Sequence, residues 1–267
     1  MLKLKNKNMK NNNPLISIIT PSYNQGQFIE ETIKSVQNQN YKNFEHIVID
    51  GGSTDNTLKI LKKYTGKIKW ISEKDKGQSD GINKGLKMAK GDILCYLNSD
   101  DCFFPYTLEE IVNFFNSHPN FFWVTGDYIL IDKNGNKIKS IIPLYKKLWS
   151  LFPYRTTLLL TNYISQPSTF WKKEVLKKIG YFNVNYKYNM DFDYWARIFN
   201  AGYRLHVLNK KLSKFRIHED SINGARYKEQ FDHMLFLIKK YSNSRIIYYF
   251  NKLHYGLIKI IYSLRKI

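Results

Sequence analysis

Cysteine is nearly absent from this sequence: 267 residues hold two, Cys95 and Cys102. The segment between them starts as a strand, and at ~3.3 Å per residue it outruns the ~7 Å Cα limit for a disulfide. Two free thiols in a reducing compartment are therefore expected. No apolar run reaches the ~18 residues of a spanning helix, and the basic N-terminus has no apolar stretch of signal-peptide length, so a cytoplasmic body is expected. Acid is scarce, with 22 Asp and Glu against 42 Lys and Arg, a net charge of +20. Such a charge predicts an acidic partner: a phosphorylated substrate, an anionic bilayer or nucleic acid. No G-x-G-x-x-G turn follows the first strand, which argues against a dinucleotide-dependent oxidoreductase. The basic, Gly-rich phosphate loop expected near the N-terminus of a nucleotidylyltransferase is missing too.

What is present is uneven. Lys3, Lys5, Lys7 and Lys10 precede the first acid, Glu30, and no acid follows Asp232. Residues 1–13 read as a disordered basic tail. Such tails bind an acidic partner or are simply solvated, as in any Lys- and Asn-rich proteome. Because the charge sits in the tails, while acidic loops line the expected crevice, a metal-nucleotide site fits better than nucleic acid. A nucleic-acid- or membrane-binding basic protein without enzyme activity is the alternative.

The body alternates. Strand-length apolar runs at 15–20, 44–50, 67–72 and 92–97 are each followed or separated by helical periodicity, at 28–39, 54–64 and 78–89. Four strands alternating with helices predict an α/β fold, a doubly wound, mostly parallel sheet with flanking helices. Ligands of such sheets sit beyond the carboxyl ends of the strands. Further on, 123–142 reads as a hairpin turning at Asn134-Gly135, 144–163 as irregular, 190–202 as a helix and 203–208 as a strand.

The loops after the strands carry the chemistry. In "NSDD", Asp100 and Asp101 are adjacent carboxylates with no Lys or Arg beside them, so they repel each other unless a cation intervenes. A hard divalent ion, manganese or magnesium, suits them and brings a diphosphate with it. The competing role for Asp101 is capping a helix that starts near Pro105. In "VIDGGSTD", Asp50 can accept from a base N–H, Gly51-Gly52 admit close approach, and Ser53 or Thr54 can cap the next helix; a plain turn reads the same way. Asp191 and Asp193 open the 190–202 helix. Either can be a base or a helix-dipole partner, with Phe192, Tyr194 and Trp195 able to raise the pKa. His218 can be structural or a ligand.

Taken together, "ISIITPSYNQGQFIEETIKSVQNQ", "FEHIVIDGGSTDNT", "EKDKGQSDGINKG" and "GDILCYLNSDD" resemble the family 2 glycosyltransferases, inverting enzymes of GT-A fold known from bacterial surface polysaccharide biosynthesis. The match runs through residues 15–101 and continues more loosely in "QPSTFW", "MDFDYWARI" and "FRIHEDS". The resemblance implies that Pro21, Tyr23, Asn24, Asp50 and Ser53 hold the nucleotide and that Asp80 lies beside base or sugar. It places Asp100 on the ribose or donor sugar, Asp101 and His218 on the metal, and makes Asp191 the base. Met190 stands where the pattern more often reads Glu, and Gly51 where many members carry a second Asp.

The implied reaction moves a sugar, with inversion, from a nucleotide-sugar (a UDP-sugar by expectation) to a hydroxyl of a glycan or lipid-linked acceptor. Residues 14–225 form the expected transferase domain, and 226–267 a C-terminal helical extension. There Arg245, Lys252, Lys259 and Lys266 recur every seven residues as a basic stripe beside Ile246, Phe250, Leu253, Leu257, Ile260 and Leu264. Such a helix can lie on an anionic membrane, which would make the protein peripheral on the inner face of the cell membrane, or it can pack on the core or a second subunit.

Overall fold

The computed structural model describes residues 13–218 and 227–264. The Lys residues of the N-terminal tail, and Glu219, Asp220 and Lys266, lie outside the described residues, as do the side chains of Leu257, Lys259, Ile260 and Leu264. The first half alternates as expected: β1 (Ile16–Ser22), α1 (Ile29–Gln37), β2 (Phe44–Asp50), α2 (Thr57–Lys63), β3 (Lys69–Ser72), α3 (Gln78–Met88) and β4 (Ile93–Tyr96). A short β5 (Cys102–Phe103) and α4 (Thr107–Ser117) follow. Next come β6 (Trp123–Ile131), α5 (Ile142–Ser150), α6 (Arg155–Leu160), a 3-10 turn (Gln166–Ser168), β7 (Thr169–Lys172), α7 (Lys173–Ile179) and α8 (Met190–Asn200). The chain closes with β8 (Leu205–Arg216), α9 (Tyr227–Tyr241) and α10 (Arg245–Leu264).

One eight-stranded sheet runs β3-β2-β1-β4-β7-β6-β8-β5. The four strands β3, β2, β1 and β4 are parallel, β7 runs antiparallel to both β4 and β6, and β6 pairs parallel with β8. The chain leaves β1 toward β2 on one side and returns to β4 on the other, so a crevice opens at their carboxyl ends. Alternation along β1 feeds two cores. Ile19 joins a cluster with α3, α8 and α9, while Ile16 and Ile18 join one with α4. At Gly85 of α3 a Cβ would stand 2.4 Å from an Ile19 methyl, so only glycine lets that helix lie this close to β1. Cys95 and Cys102 are buried and unpaired.

Three expectations need correction. The 123–142 hairpin stops at a single bridge, Ile131 to Lys137, after the turn at Gly135. Pro143, with no amide to donate to a ladder but suited to a helix's first turn, starts α5 instead. Residues 144–163 are not irregular but mostly helical, in α5 and α6. The apolar side chains of α5 are mostly exposed, and α6, which buries Leu158 and Leu159, is only six residues long, so neither shows a helical period with an inward stripe. Finally, the strand expected at 203–208 begins at Leu205 and runs to Arg216, because β6 offers it a parallel edge.

The C-terminal helices pack on the main core through Leu237, Ile238, Tyr241 and Tyr255. Ile246, Tyr249, Phe250 and Leu253 remain exposed. Among the described residues no helix is long and apolar enough to cross a membrane.

Candidate active site

The loop after β1 is stitched to the loop after β2. The Asn24 amide donates to Ser53 Oγ at 2.7 Å, Asn24 Oδ1 accepts from Thr54 N at 2.9 Å, and Gly26 N donates to Asp55. Asn24 sits at φ 52°, a left-handed conformation that asparagine tolerates better than most residues. Asp50, fully buried, accepts from Gly52 N, Ser53 N, Ser53 Oγ and Ser72 Oγ. Ser53 is thus a spacer between Asp50 and Asn24 rather than a helix cap; the first free amide of α2, at Thr57, goes to Asp55. Pro21, Asn24, Asp50 and Ser53 come together, and Tyr23 projects beside them with 60% of its surface open.

Gly51 has a concrete reason to lack a side chain. A Cβ there would lie 2.8 Å from an Asp75 carboxylate oxygen. Asp75 occupies the space a second Asp would need, and burial, with Asp50 and Asp80 nearby, raises its pKa despite the Gly77 amide and Lys84. Sequence reasoning passed over Asp75, although it lies within "EKDKGQSD". Asp80 is half-buried, accepts from Lys76 N and stands 3.9 Å from Lys84.

Beyond β4, Asp101 is buried. Its Oδ1 accepts the Arg216 amide at 2.9 Å and its Oδ2 the Asn98 amide at 3.4 Å. It does not cap α4. Burial and the Asp100 charge hold its pKa well above the ordinary carboxylate range. Asp100 Oδ2 meets His218 Nε2 at 3.1 Å. Arg216 is the residue that sequence reasoning missed here. Buried at the end of β8, it pairs with Glu31, donates to the carbonyls of Asp100, Asp132 and Lys133, and lies over the Phe28 ring. A chain of amides closes the floor: Gln78 to Asn98, Asn98 to Gln166, and Gln166 to the Tyr96 carbonyl.

Asp191 and Asp193 have separate fates. Asp193 is 1% exposed and saturated by Arg197, Lys240 and Tyr241, which tie α8 to α9. Asp191 remains partly open, with Asn162 Nδ2 at 3.5 Å as its side-chain partner. Burial raises its pKa, opposed by the Phe192 amide, the Lys146 charge and Asn162. Phe192, Tyr194 and Trp195 pack in the core on the same helix. Met190 is buried, its sulfur accepting from Ser79 Oγ. Burial pushes the Tyr96 phenol well above its ordinary range, and the charges of Asp191 and Asp101 add to that, so both carboxylates lie within electrostatic reach of this one residue.

Among the described residues no set of three or more His, Cys, Asp and Glu side chains is gathered as a metal cage. The donor chemistry still suits a hard cation. Asp100 and Asp101 are adjacent oxygen donors, and the buried Asp101 carboxylate has no cation of the protein bonded to its oxygens.

The chain matches the family model "Glycosyl transferase family 2" over residues 17–180. It belongs to glycosyl transferase family 2. An uncharacterized glycosyltransferase of Rickettsia prowazekii is 34% identical over 218 residues, 79% of this chain and 67% of that protein. One from Rickettsia conorii is 32% identical over 214 residues, and there the chain spans 34% of the relative's length. The putative teichuronic acid biosynthesis glycosyltransferase TuaG of Bacillus subtilis is 29% identical over 227 residues, 82% of this chain and 86% of TuaG. Among solved structures, S. aureus TarS 1-349 in complex with UDP-GlcNAc aligns with TM-score 0.65 and 22% identity, over 84% of this chain and 65% of that one. The mannosyltransferase PcManGT of Pyrobaculum calidifontis, in complex with GDP-Man and Mn2+, aligns with TM-score 0.68 and 17% identity, over 88% and 67%. The fold is the GT-A fold of these transferases.

Proposed function

We propose that this chain is an inverting glycosyltransferase that moves a sugar from a nucleotide-sugar, a UDP-sugar in the first instance, to an acceptor hydroxyl in cell-surface polysaccharide assembly. The observation that carries the reading is that the Asp100-Asp101 loop follows β4 at the crevice while a partly open Asp191, with Asn162 as its side-chain partner, lies within electrostatic reach of the same buried Tyr96. Family membership and a solved relative bound to UDP-GlcNAc support it.

In this reading the stitched loops of Asn24 and Asp50 form a rigid seat, with Tyr23 free to cover the base and Asp80 beside it. Asp100, Asp101 and His218 would hold a divalent ion, which supplies charge stabilisation for the departing diphosphate. Asp191 accepts the proton of the acceptor hydroxyl as that oxygen attacks the anomeric carbon. Its raised pKa makes it a better base than an ordinary aspartate. Saturation of Asp193 leaves Asp191 as the open carboxylate of α8, which supports a single displacement with inversion. The exposed, basic C-terminal helix supports a peripheral position on the inner face of the cell membrane.

The experiment is release of UDP from UDP-GlcNAc and other UDP-sugars with manganese, together with UDP binding by calorimetry. Manganese-dependent UDP binding supports the reading; no binding of UDP, GDP or TDP under any metal condition sinks it.

A further inference from the structure

Three carboxylates gather beyond the carboxyl ends of β2 and β3. Asp50 closes β2, Asp75 lies in the loop after β3, and Asp80 stands in the first turn of α3. They differ in how far the protein already satisfies them.

Asp50 is committed to the protein. Its Oδ2 accepts from Gly52 N, Ser53 N and Ser72 Oγ, and its Oδ1 from Ser53 Oγ. None of its surface is open, so a base cannot touch its carboxylate. Asp80 accepts the Lys76 amide and has the Lys84 ammonium at 3.9 Å. Asp75 is the least engaged of the three. It is partly open, and its Oδ1 accepts the Gly77 amide at 2.8 Å. Among the described residues no donor reaches Asp75 Oδ2, and Lys84 is paired at 2.7 Å with Glu73.

The free oxygen has a built place. A Cβ on Gly51 would lie 2.8 Å from Asp75 Oδ2, and one on Gly81 would lie 3.3 Å from it and 3.5 Å from Pro21 Cβ. Two glycines, one just past β2 and one in α3, thus admit a carboxylate from the third loop to a spot beside Pro21. The exposed Tyr23 leaves from the same end of β1.

One free carboxylate oxygen accepts one N–H and repels a lone pair. Uracil presents a single ring N–H, at N3, where cytosine presents a lone pair. Guanine presents two N–H groups side by side, which a carboxylate answers with both oxygens, and here Gly77 holds the other one.

We propose that Asp75 is the residue that selects the base, its Oδ2 accepting from N3–H of uracil, and that Gly51 and Gly81 lack side chains to admit it. This rests on the transferase reading above and names what selects its donor. A carboxylate from the loop after β3 stands where a second Asp after β2 would stand, and Asp50 holds the turn beneath it.

The test is calorimetric titration of UDP, CDP and GDP, with manganese, into the full chain and its variants. The parent should bind UDP at least about tenfold tighter than CDP or GDP, the weight of one hydrogen bond to a charged group. Asp75→Asn keeps an oxygen for Gly77 and puts an N–H in place of the free one. Its UDP-to-CDP affinity ratio should fall at least about tenfold, because the amide donates to cytosine N3. A merely structural role would weaken both nucleotides alike, since they differ only in the base. Asp75→Ala should also lose the ratio, and Gly51→Asp added to it should bring the ratio back from the other loop. An unchanged ratio in Asp75→Asn overturns the proposal. So does a parent that prefers GDP, a ratio that collapses in Asp80→Asn and not in Asp75→Asn, or a double variant that melts cooperatively yet recovers no preference. UDP bound by the parent with the ratio untouched in Asp75→Asn overturns this proposal alone. No binding of UDP, CDP, GDP or TDP by the parent under any metal condition overturns the transferase reading beneath it.

Discussion

The crevice at the strand ends, the donor side of the proposed transferase, and the face formed by α5 and α10 are built on opposite terms. On the donor side, loops after β1, β2 and β4 are tied to one another by buried polar bonds, and Asp50 accepts four of them. On the other face, α5 and α10 turn apolar residues outward, and Tyr163 Oη and Ser165 Oγ beneath α5 are buried without a hydrogen-bond partner. A pre-formed seat limits the ordering cost of binding a ligand. The difference predicts that substitutions on the donor side cost stability and catalysis together, whereas those at exposed positions of α5 and α10 leave stability nearly unchanged.

The largest effect should come from Asp101→Asn. If the buried carboxylate carries the cation, manganese-dependent UDP affinity disappears and sugar transfer falls by about a hundredfold or more. Unchanged manganese dependence, read by calorimetry, would move the metal elsewhere. Next is Arg216→Ala, which strips a buried guanidinium from Glu31 and three carbonyls and should destabilise the fold by ~2–4 kcal/mol in a urea melt. A loss under ~1 kcal/mol would show that the donor side is less tightly tied than it looks.

Gly51→Asp, which supplies the second Asp that the family resemblance leads one to expect, should destabilise by ~1–3 kcal/mol through collision with Asp75. Asp75→Ala should recover part of that in a double-mutant cycle, and purely additive losses would refute the steric account. Smaller still is a shift in pH profile. The acid limb of kcat/KM should lie above the ordinary aspartate value because Asp191 must be ionised to act and burial raises its pKa. Lys146→Met should move that limb further up, since the lysine charge favours the carboxylate. The smallest effect concerns stability alone. His46, buried against Thr20 at 2.9 Å, has its pKa lowered from 6.5 to about 3 by burial. The unfolded chain binds this proton first, so the contribution is present above about pH 6.5 and is lost as pH falls toward 3. His46→Gln should flatten that part of a stability-against-pH curve.

The two sides also differ in how far they could be read in advance. β1 to β4 announce themselves because apolar runs and helical periods alternate, and the loop residues Asn24, Asp50, Asp100 and Asp101 lie where strands end. The choice between Asp191 and Asp193 was open in the sequence, since both open the same helix; it turns on Lys240 and Tyr241, about fifty residues away. Asp75 was hidden because its role depends on a glycine across the crevice. Arg216 was hidden because its charge is neutralised by Glu31, 185 residues earlier. α6 escaped because six residues are too few to show a period, and α5 because the amphipathic rule assumes that apolar residues face inward. Where the outward face is apolar, that rule misreads the helix as irregular chain.

Asp191 as the base of a single displacement is reached most directly by one measurement. Transfer from a UDP-sugar and UDP affinity are measured side by side for the parent protein and for Asp191→Asn, with the anomeric configuration of the product read by NMR. The expected result is an inverted product from the parent, a fall in kcat of at least about a hundredfold in the variant, and UDP affinity unchanged. A variant that transfers at the parent rate, or a product that retains the donor's configuration, would contradict it.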